Sequence, residues 1–211
     1  MRGAREPLSV LEDRVKIGVL ALQGAFVEHI HILRRLGVEA VEVRTAKELH
    51  GMDGLIIPGG ESTTMLKLAR HYHLVKPLQQ MVKKGKPIMG TCAGMILLAN
   101  KITESDMQTL CLMDIEVRRN AFGRQVDSFE TDLAVPAIGD EPFHAIFIRA
   151  PYIEHVGNGV EALARLDDGT VVAVRQKNLL ALAFHPELSH DTRLHEYFVD
   201  MVKESGQERK A

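Results

Sequence analysis

The sequence predicts an α/β protein in three layers, with a mostly parallel sheet between helices on both of its faces. Short apolar strands alternate with helical segments through the first half of the chain, which is the pattern of βαβ units. Glycines directly follow several of the helical segments, where a left-handed residue ends a helix. The 211 residues, 45% of them hydrophobic and 26% charged, suit one globular domain with a sizeable core.

The first half of the chain provides the parallel strands. Its predicted strands span 16–22, 39–43, 55–57 and 86–89. A helix is predicted over 25–36, ended by Gly37, and two more between 62 and 84, separated near 71–74 and closed by Gly85. Ligands of such sheets lie outside the carboxyl ends of the strands. Polar or reactive residues that directly follow a strand are therefore the candidates for a site.

The second half is richer in strands. They are predicted at 115–118, 126–132, 145–148, 162–166, 171–176 and 180–184. Asp-Asp-Gly at 167–169 indicates a hairpin turn, and a closing helix is predicted over 191–203. No repeat or linker interrupts the pattern. We therefore predict a single domain over 15–204, with an N-terminal extension (1–14) expected to be frayed or disordered and a C-terminal tail (205–211).

Composition excludes several functional classes. A formal net charge of −2 gives no electrostatic case for nucleic acid or an anionic membrane. No apolar stretch approaches the length of a membrane span, and the N-terminus leads into no apolar signal-peptide core, so the cytoplasm is the expected location. Two cysteines and no Cys-x-x-Cys or His-Glu-x-x-His spacing predict neither a disulfide framework nor a metal site.

Cys92 lies in Gly-Thr-Cys-Ala-Gly at 90–94, between a short apolar strand and an apolar helix. A Gly-x-Cys-x-Gly turn between strand and helix is the cysteine form of a nucleophile elbow. Its glycines allow a tight turn, and the following helix directs free amides toward the sulfur, which favours the thiolate. A small buried cysteine that only fills the core is the alternative. Cys111, between two leucines, is interpreted as such a core residue.

A histidine and a carboxylate follow the last predicted strand, as His185-Pro186-Glu187. In extended chain, residues two apart share a side, and Pro186 biases His185 away from helix. A base and its orienting carboxylate need this arrangement: His185 would accept the thiol proton, and Glu187 would fix the imidazole. A surface histidine at a strand end is the alternative.

A glycine-rich turn, Pro-Gly-Gly-Glu-Ser at 58–62, follows the third strand. Two glycines leave backbone amides unobstructed, as an oxyanion site or a substrate cradle requires. Ser62 is expected to cap the following helix. A plain βα turn would also explain these residues.

Taken together, the strings at 58–62, 90–94 and 185–187 resemble those of the class I, triad-type glutamine amidotransferases. More narrowly, the chain resembles the glutaminase subunits of pyridoxal 5'-phosphate synthase, over about 15–204. Gly-Val-Leu-Ala-Leu-Gln-Gly at 18–24, Phe-Ile-Arg-Ala-Pro at 147–151 and, most specifically, the segment 119–130 carry this narrower resemblance. The first dozen residues depart from the family pattern. The resemblance implies a flavodoxin-like, class I glutamine amidotransferase-like fold.

The resemblance also implies the activity and its residues. Cys92, His185 and Glu187 would hydrolyse L-glutamine to L-glutamate and ammonia, with backbone amides of Gly60 and Ala93 holding the oxyanion. The glutamine pocket would be lined by six residues, of which the arginines suit the α-carboxylate: Gly60, Glu61, Ser62, Arg119, Ile148 and Arg149. An internal salt bridge to Glu61 or Glu130 is the alternative role of those arginines.

The implied partner is the pyridoxal 5'-phosphate synthase subunit (PdxS/SNZ type), in a hetero-oligomer that consumes the ammonia. No cofactor is expected in this chain, because the pyridoxal phosphate is made in the partner. We place Gln23, which follows the first strand, at the contact with that subunit, and the resemblance implies that docking activates the glutaminase.

Three alternatives remain at this point. The chain could serve another ammonia acceptor, such as imidazole glycerol phosphate synthase, although the segment 120–130 argues against it. It could be a cysteine peptidase or chaperone-like protein on the same scaffold, for which His-Pro-Glu after a late strand is not expected. A non-enzymatic binding module would leave the elbow, base and carboxylate unexplained.

Overall fold

The computed structural model describes residues 15–119 and 128–208. Its helices there are α1 (Phe26–Arg35), α2 (Ala46–Leu49), α3 (Ser62–His71), α4 (Val75–Lys83), α5 (Ala93–Leu98) and α6 (Arg193–Glu208). The strands up to α5 and just after it are β1 (Lys16–Leu20), β2 (Glu39–Val43), β3 (Gly54–Ile57), β4 (Ile88–Thr91) and β5 (Ala99–Ile102). The later strands are β6 (Met113–Arg118), β7 (Ser128–Leu133), β8 (Phe143–Ile148), β9 (Tyr152–Val156), β10 (Glu161–Arg165), β11 (Val171–Gln176) and β12 (Leu179–Leu182).

Ten of these strands form one sheet, in the order β2-β1-β3-β4-β12-β11-β9-β6-β5, with β10 paired to β11. The five strands from β2 to β12 are parallel to their neighbours. Beyond β12 the pairings turn antiparallel, except that β5 runs parallel to β6. Strands β7 and β8 form a separate antiparallel ribbon. The α/β fold predicted from the sequence is confirmed.

Burial explains why these segments form strands of this kind. Every residue of β3, β4 and β12 is buried, which is the pattern of central parallel strands covered on both faces. In β6, buried positions alternate with less buried ones, as in a strand with one face on the core. The parallel half therefore forms the buried centre of the domain.

The sheet order reverses at β1, since β2 lies on one side of it and β3 on the other. Because crossovers between parallel strands are right-handed, the connection through α1 and the one through α3 and α4 lie on opposite faces. α6 covers the same face as α1, since His29 of α1 contacts His195 of α6. α3 packs against α5 on the other face. The reversal leaves a crevice at the carboxyl ends of the strands.

Several predicted boundaries and elements differ from the structure. The strands predicted to end at 22 and 184 end at Leu20 and Leu182, and the closing helix continues past 203 to Glu208. The sequence analysis missed α2, β5 and β9. These are short or polar, and β9 is set by its pairing with β6 rather than by its own pattern. The domain limits 15–204 stay a prediction.

No helix within the described residues is long and apolar enough to cross a membrane.

Candidate active site

Four neighbouring strands, β1, β3, β4 and β12, end at one edge of the sheet, and a candidate residue follows each of them. Gln23 follows β1, Gly60 follows β3, Cys92 follows β4 and His185 follows β12. Together they line a cavity of about 350 Å³. The convergence predicted from strand positions is thus present in the fold.

Most residues that the sequence analysis singled out line this cavity. They are Gln23, Gly60, Glu61, Ser62, Cys92, Ala93, Arg119, Ile148, Arg149 and His185. Ile96 and Pro151 also line it and were not predicted. Glu187 is buried behind His185, outside the lining.

Cys92 occupies a strained turn between β4 and α5. Its backbone lies at φ 49° and ψ −106°, a region that non-glycine residues rarely adopt. The turn is packed so closely that a Cβ on Gly94 would lie 2.0 Å from the Ile57 carbonyl oxygen. The Cys92 N–H donates to the Leu182 carbonyl of β12 at 2.8 Å, and its Sγ lies 3.9 Å from the Ile148 carbonyl oxygen. This geometry is that of a nucleophile elbow.

His185 and Glu187 contact each other directly, but not through extended chain as predicted. Residues Pro186–Leu188 form a 3₁₀ turn, and it is this turn that brings the carboxylate back onto the imidazole. The Nδ1 of His185 lies 2.6 Å from Oε1 of Glu187. The imidazole and the carboxylate are therefore paired by the tight turn after β12.

The surroundings of His185 favour its charged form. Burial is the largest single influence and lowers the pKa of His185, but the hydrogen bonds and charges of Cys92 and Glu187 outweigh it and raise the pKa from 6.5 to about 10. At neutral pH His185, which lies between Cys92 and Glu187, is therefore protonated and positively charged.

The glycine turn after β3 packs directly on His185. A Cβ on Gly59 would lie 2.3 Å from Cε1 of His185, so only glycine allows this approach. The Gly59 carbonyl accepts from the Ala25 N–H at 3.1 Å, and Gln23 Oε1 accepts from the Glu61 N–H at 2.7 Å. The loop after β1 thus holds the glycine turn in place.

Glu61, not Ser62, caps α3, which corrects the expected cap. The Glu61 carboxylate accepts from the N–H groups of Thr63 at 3.0 Å and Thr64 at 2.6 Å. Ser62 is instead buried as the first residue of the helix. The bonds from Thr64, with those from Thr63, outweigh burial and lower the pKa of Glu61 to about 2. A negative charge therefore faces the cavity at neutral pH.

The two arginines of the cavity differ in their partners. Arg119 donates from Nε to Glu104 at 2.9 Å, so its internal salt bridge is to Glu104 rather than to Glu61. Arg149 has a left-handed backbone, at φ 42°. Among residues 15–119 and 128–208, the Arg149 guanidinium has no carboxylate partner. The segment 120–127, which carries the narrower resemblance, lies outside the described residues.

Sequence reasoning missed the polar groups behind Glu187. His29 and His195 are buried without exposed surface, and Thr91 of β4 lies beside them. No local motif marks a histidine that becomes functional only through distant contacts. Cys111 is also a correction: it is exposed rather than core, because the backbone turns its neighbour Leu110 inward instead.

Comparison with known proteins gives consistent results. The model of the SNO glutamine amidotransferase family matches residues 19–204. Among curated proteins, pyridoxal 5'-phosphate synthase subunit PdxT of Dehalococcoides mccartyi (strain 195) is 61% identical, covering 90% of this chain and 98% of its own. The protein of the same name from Moorella thermoacetica is 58% identical, and the match covers 89% of this chain and 100% of the relative.

Solved structures show the same fold. A glutamine amidotransferase crystal structure, 50% identical, superposes with a TM-score of 0.84 and covers 88% of this chain and 98% of its own. The structure of PurLQS from Thermotoga maritima, at 18% identity and a TM-score of 0.67, covers 94% of this chain and 100% of its own and shares the fold.

Proposed function

The chain belongs to the SNO glutamine amidotransferase family, and from this premise we propose that it hydrolyses L-glutamine with the triad Cys92, His185 and Glu187. The ammonia passes to a pyridoxal 5'-phosphate synthase subunit, as the names of the relatives suggest. The observation that carries the proposal is the position of His185, bonded to a buried carboxylate and influenced by Cys92 in one cavity.

The reaction starts from the thiolate of Cys92. Its sulfur attacks the side-chain amide carbon of glutamine, and the carbonyl electron pair moves onto the oxygen. His185 then gives its proton to the amide nitrogen, the carbon–nitrogen bond breaks and ammonia leaves a γ-glutamyl thioester. His185 next accepts a proton from water, which attacks the thioester and releases glutamate. Glu187 holds the imidazole throughout.

The developing oxyanion requires backbone donors. Ala93 is the first residue of α5, so its N–H has no partner within the helix. We assign the second donor to Gly60, because a peptide between two glycines can turn without a side-chain clash. In the peptide between the two glycines, the carbonyl of Gly59 bonds Ala25, and the N–H of Gly60 points the opposite way. Reorienting this donor therefore breaks the bond to Ala25.

The glutamine pocket is proposed at the cavity walls formed by Gly60, Glu61, Ser62, Arg119, Ile148 and Arg149. The negative charge of Glu61 suits the α-ammonium group. Arg149 is our first choice for the α-carboxylate, because Arg119 already pairs with Glu104.

Gln23 links the pocket to the proposed partner. Its side-chain oxygen holds the Glu61 N–H, so a protein that docks at Gln23 would pull on the glycine turn. Such docking would supply the Gly60 donor, and a missing oxyanion donor costs roughly a hundred- to a thousandfold in rate. The hetero-oligomer and the cytoplasmic location are part of this proposal.

The test is ammonia release from glutamine, measured for the chain alone and with saturating synthase subunit. We expect slow release alone and a large stimulation by the synthase, with weaker stimulation for Gln23→Ala. Release stimulated instead by the acceptor subunit of imidazole glycerol phosphate synthase would reassign the partner. Absence of release with every partner would reject the glutaminase. Unchanged binding and stimulation of Gln23→Ala would remove Gln23 from the interface.

A further inference from the structure

A second pair of histidines lies buried behind the triad. His29 of α1 and His195 of α6 have no exposed surface, and Nδ1 of the first lies 2.9 Å from Nε2 of the second. The other nitrogen of His29, Nε2, lies 3.3 Å from Thr91 Oγ1 and 3.3 Å from Glu187 Oε2. A line of polar groups thus runs from the triad's carboxylate into the core between the two helices.

The carboxylate of Glu187 needs a donor on that side. Its side chain is fully buried, and Oε1 is bonded to His185. Oε2 makes no well-aligned hydrogen bond to any residue within the described part of the chain. Leaving a buried carboxylate oxygen without a donor is costly. An N–H on Nε2 of His29 is close enough to turn onto it.

Electrostatics select one arrangement of protons in the pair. Burial, and after it the neighbouring His195 and His185, hold the pKa of His29 well below its ordinary range, and burial lowers the pKa of His195 to about 4. Both are therefore neutral at pH 7. A lone pair on Nε2 of His29 would face the carboxylate and be repelled, so the proton belongs on that nitrogen.

The remaining contacts agree with this choice. His29 Nδ1 then accepts from the Nε2–H of His195, and Nδ1 of His195 carries a lone pair rather than a proton. That Nδ1 has no partner among residues 15–119 and 128–208. An unpaired acceptor is tolerated in a core more readily than an unpaired N–H.

We propose that His29 is a positioning residue for the reaction, whose Nε2–H fixes the second oxygen of Glu187 so that the first stays on His185. The proposal rests on the proposed function, because it assigns a role within that triad. The titratable groups that face His29 are Glu187 and His185, from the turn after β12, and His195 of α6, while Thr91 of β4 adds a hydroxyl. His195 in turn selects the tautomer of His29.

Two substitutions of similar polarity separate positioning from packing. In His29→Asn the side chain ends at about the place of Nδ1, so its oxygen can still accept from the Nε2–H of His195, but no donor reaches Glu187. In His29→Gln the amide reaches about the place of Nε2 and can still donate to Glu187. Both are made in a Cys111→Ser background, which leaves Cys92 as the single cysteine of the chain.

The first readout is the rate of alkylation by iodoacetamide against pH, in the isolated protein. It reports the thiolate of Cys92 and needs neither glutamine nor a partner. For His29→Asn we expect the thiolate to form at higher pH, because a carboxylate that His29 no longer holds can turn away from Nδ1 and then stabilises the imidazolium of His185 less. Alkylation at pH 7 and kcat with the synthase should fall roughly ten- to a hundredfold, with KM for glutamine little changed. His29→Gln should restore both.

Equal losses in the two variants, or pH profiles unchanged in both, would overturn the positioning role. If the parent releases no ammonia with any partner, the glutaminase proposal fails, while the alkylation profiles still test His29.

The second readout uses the unmodified chain and does not depend on how the variants fold. Long-range ¹H–¹⁵N spectra distinguish the two tautomers of a neutral imidazole. We expect His29 at pH 7 to be neutral and protonated on Nε2. Protonation on Nδ1 or a charged ring would overturn the assignment.

Discussion

Cys92 and His185, the proposed nucleophile and base, follow the neighbouring strands β4 and β12, but different kinds of contact position them. Cys92 is positioned by five consecutive residues, whose glycines permit a strained turn between β4 and α5. A local turn pairs His185 with Glu187, but distant residues set their surroundings: Cys92 raises the pKa of His185, and His29 lies 3.3 Å from the second oxygen of Glu187. A short stretch of sequence can thus place a reactive side chain such as Cys92. The charge on its neighbour His185 depends instead on residues that only tertiary packing brings together.

The largest expected effect separates the two cysteines. Cys92→Ser should abolish glutamine hydrolysis with the fold intact, because a hydroxyl at neutral pH is a far weaker nucleophile than a thiolate. Cys111→Ser should retain most activity, since Cys111 is exposed and outside the cavity lining. Ammonia release measured with the synthase subunit checks both variants. Comparable losses would contradict a unique nucleophile.

Substitutions of His185 and Glu187 should lower kcat to different degrees. His185→Asn should be nearly as damaging as loss of Cys92, because the two groups act as a unit. Glu187→Gln should lower kcat less, because the carboxylate orients the imidazole and moves no proton. The pH dependence of kcat for the three proteins checks this order. Full activity of Glu187→Gln at every pH would reduce the triad to a dyad.

Because the turn at 90–94 is closely packed, adding a side chain to it should lower the stability of the protein. Gly94→Ala should lower the free energy of unfolding by about 3 kcal/mol, because the added Cβ meets the Ile57 carbonyl oxygen at 2.0 Å. Gly85→Ala is the control, since Gly85 has a left-handed backbone but open space around its Cα, and about 1 kcal/mol is expected. Urea unfolding measures both. Similar small losses would mean that the elbow is not closely packed.

The smallest expected effect concerns the pKa of His185. The pKa of His185 is raised above its unfolded value, so the stability that it contributes is fully present below pH 6.5 and is lost as the pH rises through about 10. Cys92→Ser removes the thiolate, so the pKa of His185 should fall while the bond to Glu187 remains. NMR titration of the imidazole checks this shift. An unchanged pKa would deny that Cys92 supports the charge on His185.

The difference in construction also explains what could be predicted from the sequence. The parallel strands and the elbow follow from apolar runs and glycines, which act over a few residues. The pairing of His185 with Glu187 was predicted, but its 3₁₀ turn was not, because Pro186 is compatible with extended chain and with the first position of a helical turn. Glu61 was not recognised as a cap, because serine is the commoner residue there.

The buried histidines behind the proposed triad, His29 and His195, could not be predicted at all. His29 lies in a helix whose pattern indicates only which face is buried. Whether a buried histidine there meets a carboxylate depends on how α1 packs against the turn after β12, which no local pattern records.

The proposal as a whole depends on Cys92 being the nucleophile that attacks glutamine in this cavity. Mass spectrometry after incubation with an electrophilic diazoketone analogue of glutamine, in the presence of the synthase subunit, tests it most directly. We expect one adduct, on the peptide that contains Cys92. The adduct should be absent in Cys92→Ser and nearly absent in His185→Asn. An adduct on Cys111, or equal labelling in His185→Asn, would contradict the account.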